Sequence, residues 1–316
     1  MAIFGSWGRS GPSLLPELDD EPLGKVRRLL ESPPSPGVPV VDFRATQIER
    51  VLSEAGNDWD RRTHRISVLA DVVAHTQLAE SWVTRQPHNP VALTFQMWVT
   101  LARERIGPAG VEARSAIDAC YRIAELRPYD PVPWIALLGI LRQLRRESRD
   151  VFAIWKEATA RDPWNRKAHL QMLGYLSPEE CGSSAKMLDF AEVSRLHMPA
   201  DAPATGVELV ATIECHRRNV SRGGLNALLT RHWWTQFGAA RVVDQALARW
   251  TEPGFLRYAA ALADLNALAY ALVQAGRLPD AAKVFRMTGR VATVWPWCLN
   301  GDPLHEYGHW KKRVVR

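Results

Sequence analysis

Cysteine is scarce in this sequence: four in 316 residues, at positions 120, 181, 215 and 298. No two are spaced C-x-x-C, which argues against a disulfide framework and a cysteine-built zinc site. Long apolar runs are missing as well. No window approaches 18 uninterrupted apolar residues, so no membrane span is expected. The opening stretch, MAIFGSWGRSGPSLLPELDD, has neither a basic n-region nor an apolar h-region, so no signal peptide is read and the expected compartment is the cytoplasm. Phosphate-binding glycine loops, a G-x-S-x-G elbow and acidic metal loops are also lacking, and isolated Ser, His and Asp define no triad. Neither an enzyme nor a cofactor is expected. The net charge of +6 is scattered along the chain and Arg outnumbers Lys, so it reads as a generally basic surface.

Helical punctuation is plentiful. Pro87-His88-Asn89-Pro90, Pro128-Tyr129-Asp130-Pro131 and Pro163-Trp164-Asn165-Arg166 share one layout: a Pro that ends a helix, an aromatic ring, then Asn or Asp as N-cap of the next helix. Ser115 to Leu176 carries two of these turns and organises the chain. Helices are expected over Arg65 to Thr84, Pro90 to Ile106, Val111 to Leu126, Lys167 to Leu176, Ala185 to His197, Gly206 to Asn219, Arg241 to Trp250, Tyr258 to Ala275 and Pro279 to Val294. No stretch alternates as a strand does, so the fold class is all-α. The divisions expected are a flexible Pro- and Gly-rich leader at 1–40, with a short amphipathic run from Leu23 to Leu30, a helical domain at 41–298 and a tail at 299–316.

Leu265, Leu268, Ala269, Leu272, Gly276, Ala281 and Phe285 fall at the fixed small and large positions of a tetratricopeptide repeat, which this stretch resembles. The pattern lapses afterwards at Thr288 and Thr293. Leu138, Gly139, Trp155, Ala158 and Pro163 form a second, degenerate copy, and Pro128 and Pro163 lie 35 positions apart. Pro87 and Pro128 lie 41 apart, which puts an insertion at Gly107 to Gly110. The resemblance implies an α-solenoid of antiparallel helix pairs with a groove that binds a protein or peptide. Pro178, Gly182, Ser183, Met187, Phe190 and Ala191 resemble an uncharacterised bacterial helical-repeat family that carries a P-K-W-G-G-S loop and then M-x-x-F-A. Here Glu179, Glu180 and Cys181 replace the Lys, Trp and Gly of that loop.

Three features could carry chemistry. Arg142, Arg145, Arg146 and Arg149 lie near one edge of a helix end and could hold an acidic peptide or a phosphate backbone; the plainer reading is a solvated helix end paired with Glu147 or Asp150. His216, Arg217, Arg218 and Arg222 form a similar surface run. The pair Trp233-Trp234 cannot both face inward, which makes one a candidate contact residue. His305-Glu306-Tyr307-Gly308-His309 satisfies H-E-x-x-H, but Gly308 weakens a helix and no third ligand follows, so the metal reading of His305 and His309 is set aside. The function expected is a non-catalytic scaffold or adaptor. The alternatives are nucleic-acid binding through the Arg runs and a zinc hydrolase.

Overall fold

The computed structural model describes residues 11–33, 40–107, 113–221 and 230–315, and the fold is all-α. The insertion expected at Gly107 to Gly110 and Arg222 of the second Arg run fall largely outside these residues. The chain divides into two compact units. The larger holds Asp19–Ala211 and Leu256–Ala260; the smaller holds Met1–Leu18, Thr212–Phe255 and Ala261–Arg316. Among the described residues, no helix is long and apolar enough to cross a membrane.

In the larger unit the helices are α1 (Glu21–Glu31), α2 (Val40–Ser53), α3 (Trp59–Val73), α4 (Leu78–Arg85), α5 (Pro90–Ile106), α6 (Ala113–Leu126), α7 (Val132–Gln143), α8 (Ser148–Arg161), α9 (Arg166–Tyr175) and α10 (Ser184–His197). The start of α11 (Val207–Ser221) also lies there. The three Pro-marked turns share one capping chemistry. Asn89 Oδ1 accepts the N–H of Val91 at 2.9 Å, Asp130 Oδ1 that of Val132 at 2.9 Å, and Asn165 Oδ1 that of Lys167 at 3.1 Å. Each cap satisfies donors that the first helical turn leaves unpaired. The capped helices pack side by side, α5 on α7 and α7 on α9, with α3 against α5. This order is consistent with stacked helix pairs.

The row also curls back, because α3 touches α9. Asn165 Nδ2 donates to Thr63 Oγ1 at 3.3 Å and the Arg166 N–H to Asp60 Oδ1 at 3.3 Å. Inside lies a continuous apolar core that includes Leu69, Phe95, Trp98, Leu138 and Met172. At Gly139 the backbone of α7 comes close to α5: a Cβ on it would stand 2.7 Å from Leu101 Cδ2.

The leader is not flexible throughout. Helix α1 buries Leu23, Val26 and Leu30, and its N-cap Asp20 accepts two bonds from Arg65 of α3, at 2.7 and 3.1 Å. Burial alone would raise the Asp20 carboxyl, but the Arg65 and Leu23 donors and the charges of Arg65 and Arg61 hold it below its ordinary value. The helix expected from Arg65 to Thr84 is two helices. Thr76 separates them, its Oγ donating to Val73 O at 2.9 Å and accepting the Leu78 N–H at 3.3 Å.

The smaller unit contains α12 (Phe237–Trp250), α13 (Ala261–Gln274), α14 (Leu278–Thr288) and α15 (Pro303–Val314), with the rest of α11. The helix expected over Pro279 to Val294 stops at Thr288. Val291 and Ala292 then form a two-residue parallel pairing with Ser13 and Leu14. The tail carries a helix that continues through Gly308, because Asp302 caps it and Tyr307 anchors it. The Tyr307 ring is fully buried against Phe285 and Trp297, and its hydroxyl meets Thr288 Oγ1 at 2.7 Å.

Candidate functional site

A cleft of about 600 Å³ opens in the larger unit between α8, the 177–183 loop and α10. Its lining follows from helical spacing. Lys186, Asp189, Phe190 and Val193 recur at three and four along α10 and present one face, while Ser148 and Phe152 come from the first turn or so of α8. Tyr175 and Leu176 end α9 and form the floor with Phe190. Phe152 is 40% exposed and Val193 56%, so the mouth is apolar as well as the floor.

The loop is shaped by backbone bonds. Cys181 N–H donates to Tyr175 O at 3.1 Å, Gly182 N–H to Ser177 O at 3.0 Å and Ser183 N–H to Leu176 O at 3.0 Å. A Cβ on Gly182 would overlap the Leu176 carbonyl, so this close approach requires glycine. Ser183 then caps α10 by accepting the Lys186 N–H at 3.1 Å. The free thiol of Cys181 is exposed in the cleft beside the Tyr175 hydroxyl, which donates to Arg146 O at 3.0 Å. Burial and the neighbouring Cys181 hold that hydroxyl above its ordinary pKa.

Behind the cleft is an aromatic cluster. Phe190 meets Trp155 edge-on at 5.6 Å, and Trp155 meets His169 edge-on at 4.9 Å. His169 is buried, its Nδ1 3.0 Å from Asn165 O, and burial pushes its pKa down to about 4. The carbonyl can only accept, so Nδ1 carries the proton and the ring is neutral. The cluster fixes Phe190 as a rigid wall.

The four arginines do not form one outward row. Arg142 lies over α9, its Nε 2.8 Å from Glu180 Oε2 and its Nη1 2.7 Å from Gln171 Oε1. Arg145 has φ +50° and reaches Glu179 O at 3.3 Å. Arg146 pairs with Asp150 at 3.2 Å, and Arg149, 79% exposed, with Glu147 at 3.1 Å. The last two thus pair with the acids named by the plainer reading. In the smaller unit Trp234 is buried and Trp233 half-buried, and both rings lie against His216, at 5.0 and 6.4 Å.

The H-E-x-x-H residues lie on α15. His305 and His309 lie on the exposed side of α15, with centroids 6.2 Å apart, while Tyr307 and Gly308 face inward. Among the described residues, no three His, Cys, Asp or Glu side chains converge as metal ligands.

No family model matches this chain, and no curated protein or solved structure matches it. The cleft is therefore judged on its own chemistry: apolar walls, the hydroxyls of Ser148 and Tyr175, one thiol and a Lys and Asp at the rim. Phe152, Tyr175 and Cys181 were not candidates from the sequence. Three elements must fold together before they meet, and the only local signal was the Glu179-Glu180-Cys181 departure in the loop.

Proposed function

We propose that this chain is a non-catalytic interaction protein, cytoplasmic in setting, and that the α8–α10 cleft receives an apolar anchor side chain from a protein or peptide partner. The observation that carries the reading is the exposure of Phe152 and Val193 at the mouth of a formed cavity whose floor is also apolar. Burying such side chains against a partner contributes roughly 25 cal/mol per Å² of apolar surface, and interfaces concentrate their energy in pockets of this kind. Lys186 and Asp189 at the rim would orient the partner through charge. Phe190, held by Trp155 and His169, supplies a wall that needs no ordering on binding.

The test is affinity capture with the full chain and with Val193→Asp, which places a carboxylate at the exposed mouth. A discrete protein recovered by the wild type and lost by a variant of unchanged melting temperature supports the reading. A capture profile identical for both chains removes the cleft from consideration. The Arg-based nucleic-acid reading is weakened by geometry, since Arg142 is committed to Glu180 and Gln171, while Glu147 and Asp150 offset Arg146 and Arg149.

A further inference from the structure

The cleft between α8 and α10 leaves three polar groups unanswered. Lys186 and Asp189 are exposed on its α10 face, three positions apart, where side chains on a helix are neighbours. They do not close on each other, and among the described residues neither the ammonium nor the carboxylate has an ion-pair or hydrogen-bond partner. The charges nearby are matched: Arg146 with Asp150, Arg149 with Glu147 and Arg142 with Glu180. On the α8 side the cavity is lined by Ser148, which opens that helix. Glu147, at the N-cap, makes no side-chain bond into α8, and the Ser148 N–H and hydroxyl have no partner among the described residues. The Tyr175 hydroxyl, by contrast, is taken by Arg146 O. The cavity thus sets one open cation, one open anion and one open hydroxyl above an apolar floor.

A ligand that answers all three carries both charges close together on an apolar body. We propose that the cleft binds a zwitterion of this kind, an aromatic α-amino acid taken free or as a short peptide. Its carboxylate meets Lys186 and Ser148, its ammonium meets Asp189, and its ring lies among Phe152, Phe190 and Tyr175. This goes beyond the docking of a partner's side chain, since it assigns the same cavity a small-molecule ligand. The volume of about 600 Å³ falls in the range of small-molecule sites, which combine apolar walls with a few placed polar groups. The opposed charges on one helix face also fix orientation, because a reversed ligand would set carboxylate against Asp189 and ammonium against Lys186. Phe190 already meets Trp155 edge-on at 5.6 Å, so the ring enters a wall that is formed beforehand. The exposed Cys181 sulfur is a soft contact for the same ring.

The test is a ligand-observed NMR titration of the full chain with L-phenylalanine, 3-phenylpropionate, which lacks the ammonium, and phenethylamine, which lacks the carboxylate. L-Phenylalanine should bind one site, and each of the other two should bind about threefold to fivefold more weakly, the size of one solvent-exposed charge contact. Lys186→Met should weaken L-phenylalanine and 3-phenylpropionate and spare phenethylamine. Asp189→Asn should weaken L-phenylalanine and phenethylamine and spare 3-phenylpropionate. A merely structural role for either residue would move all three probes together. L-Phenylalanyl-L-phenylalanine then tells the two sources apart: tighter binding than the amino acid points to a peptide, weaker binding to the free amino acid. The proposal is overturned if no probe binds at up to about 10 mM, above the millimolar range expected of such exposed contacts. It also falls if the two single-charge probes bind as well as L-phenylalanine, or if both variants weaken every probe alike. Absence of L-phenylalanine binding, beside loss of the captured protein in Val193→Asp, would overturn the zwitterion site and leave the anchor reading standing.

Discussion

Gly174 of α9 lies directly beneath the Arg142 guanidinium: a Cβ on that glycine would stand 2.6 Å from Arg142 Nε and closer still to its Cζ. The bare backbone lets the arginine cross α9 and reach Glu180 with two nitrogens and Gln171 with a third. Gly174→Ala would gain up to about 1 kcal/mol of helix propensity. It would also evict a charged group whose hydrogen bonds contribute roughly 1.5–3 kcal/mol each, so the eviction wins. Urea unfolding should show Gly174→Ala destabilised by about 2 kcal/mol, with a much smaller effect in an Arg142→Met background. Equal effects in both backgrounds would separate the glycine from the arginine.

Asn165 does more than cap. Its Oδ1 holds the N–H groups of Lys167 and Ala168, and its Nδ2 donates to Thr63 Oγ1 and Asp162 Oδ2, so a fully buried side chain ties α9 to α3. Asn165→Ala should cost about 2–3 kcal/mol, more than the ~1 kcal/mol of a surface cap. Asn165→Asp keeps the acceptor but sets a carboxylate beside Asp162, and should recover less than half of that loss. Full recovery in Asp would show that the cap alone matters and that the α3 contact is idle.

These residues show how far the sequence reads. The Asn and Asp caps and the whole of Pro90–Ile106 were legible, because capping and 3.6-residue periodicity are local. The break at Thr76 was not, since apolar spacing continues across it. Of helix α1 only the amphipathic run from Leu23 to Leu30 showed among the prolines and glycines around it; the Asp20 bond to Arg65, 45 positions away, did not. In the cleft, Phe190 and Gly182 stood out in the loop motif. Phe152 did not, because an exposed Phe is ordinary until the fold shows what surrounds it.

Asp60 makes the larger unit sensitive to pH. Its carboxyl is buried, Oδ2 has no hydrogen-bond partner, and burial, opposed by Arg166 and reinforced by Asp58 and Asp162, raises its pKa from 3.8 to about 7. The folded state therefore holds this proton more tightly than the unfolded chain does. The favourable term is fully present below pH 3.8 and is lost as pH rises through about 7, a swing of at most roughly 4 kcal/mol. Asp60→Asn keeps the acceptor for Arg166 N–H and removes the charge. It should be more stable than the wild type at pH 8, with the gain shrinking to nothing by pH 4. A gain that does not change over that range would mean that the carboxyl is not the titrating group.

Arg145 ends α7 in a conformation that suits glycine. Its N–H reaches Arg142 O at 2.9 Å and the Arg146 N–H reaches Leu141 O at 3.0 Å, the paired bonds of a Schellman motif around a left-handed residue. Helix α13 closes the same way: Gly276, at φ +70°, donates to Val273 O at 3.0 Å and Arg277 to Leu272 O at 2.9 Å. One position is served by glycine and the other by an L-residue that carries roughly 1–2 kcal/mol of left-handed strain. The Arg145 side chain offers little in return, since it is exposed and its hydrogen bond to Glu179 O is long at 3.3 Å. Glycine gives back about 0.5–1 kcal/mol through the entropy of the unfolded chain. Arg145→Gly should therefore stabilise by about 0.5–1 kcal/mol, Arg145→Ala should do nothing, and Gly276→Ala should destabilise by about 1 kcal/mol. Denaturant midpoints for the three variants decide it. If Arg145→Gly is no more stable than Arg145→Ala, the strain is absent and this arginine is held by its contacts instead.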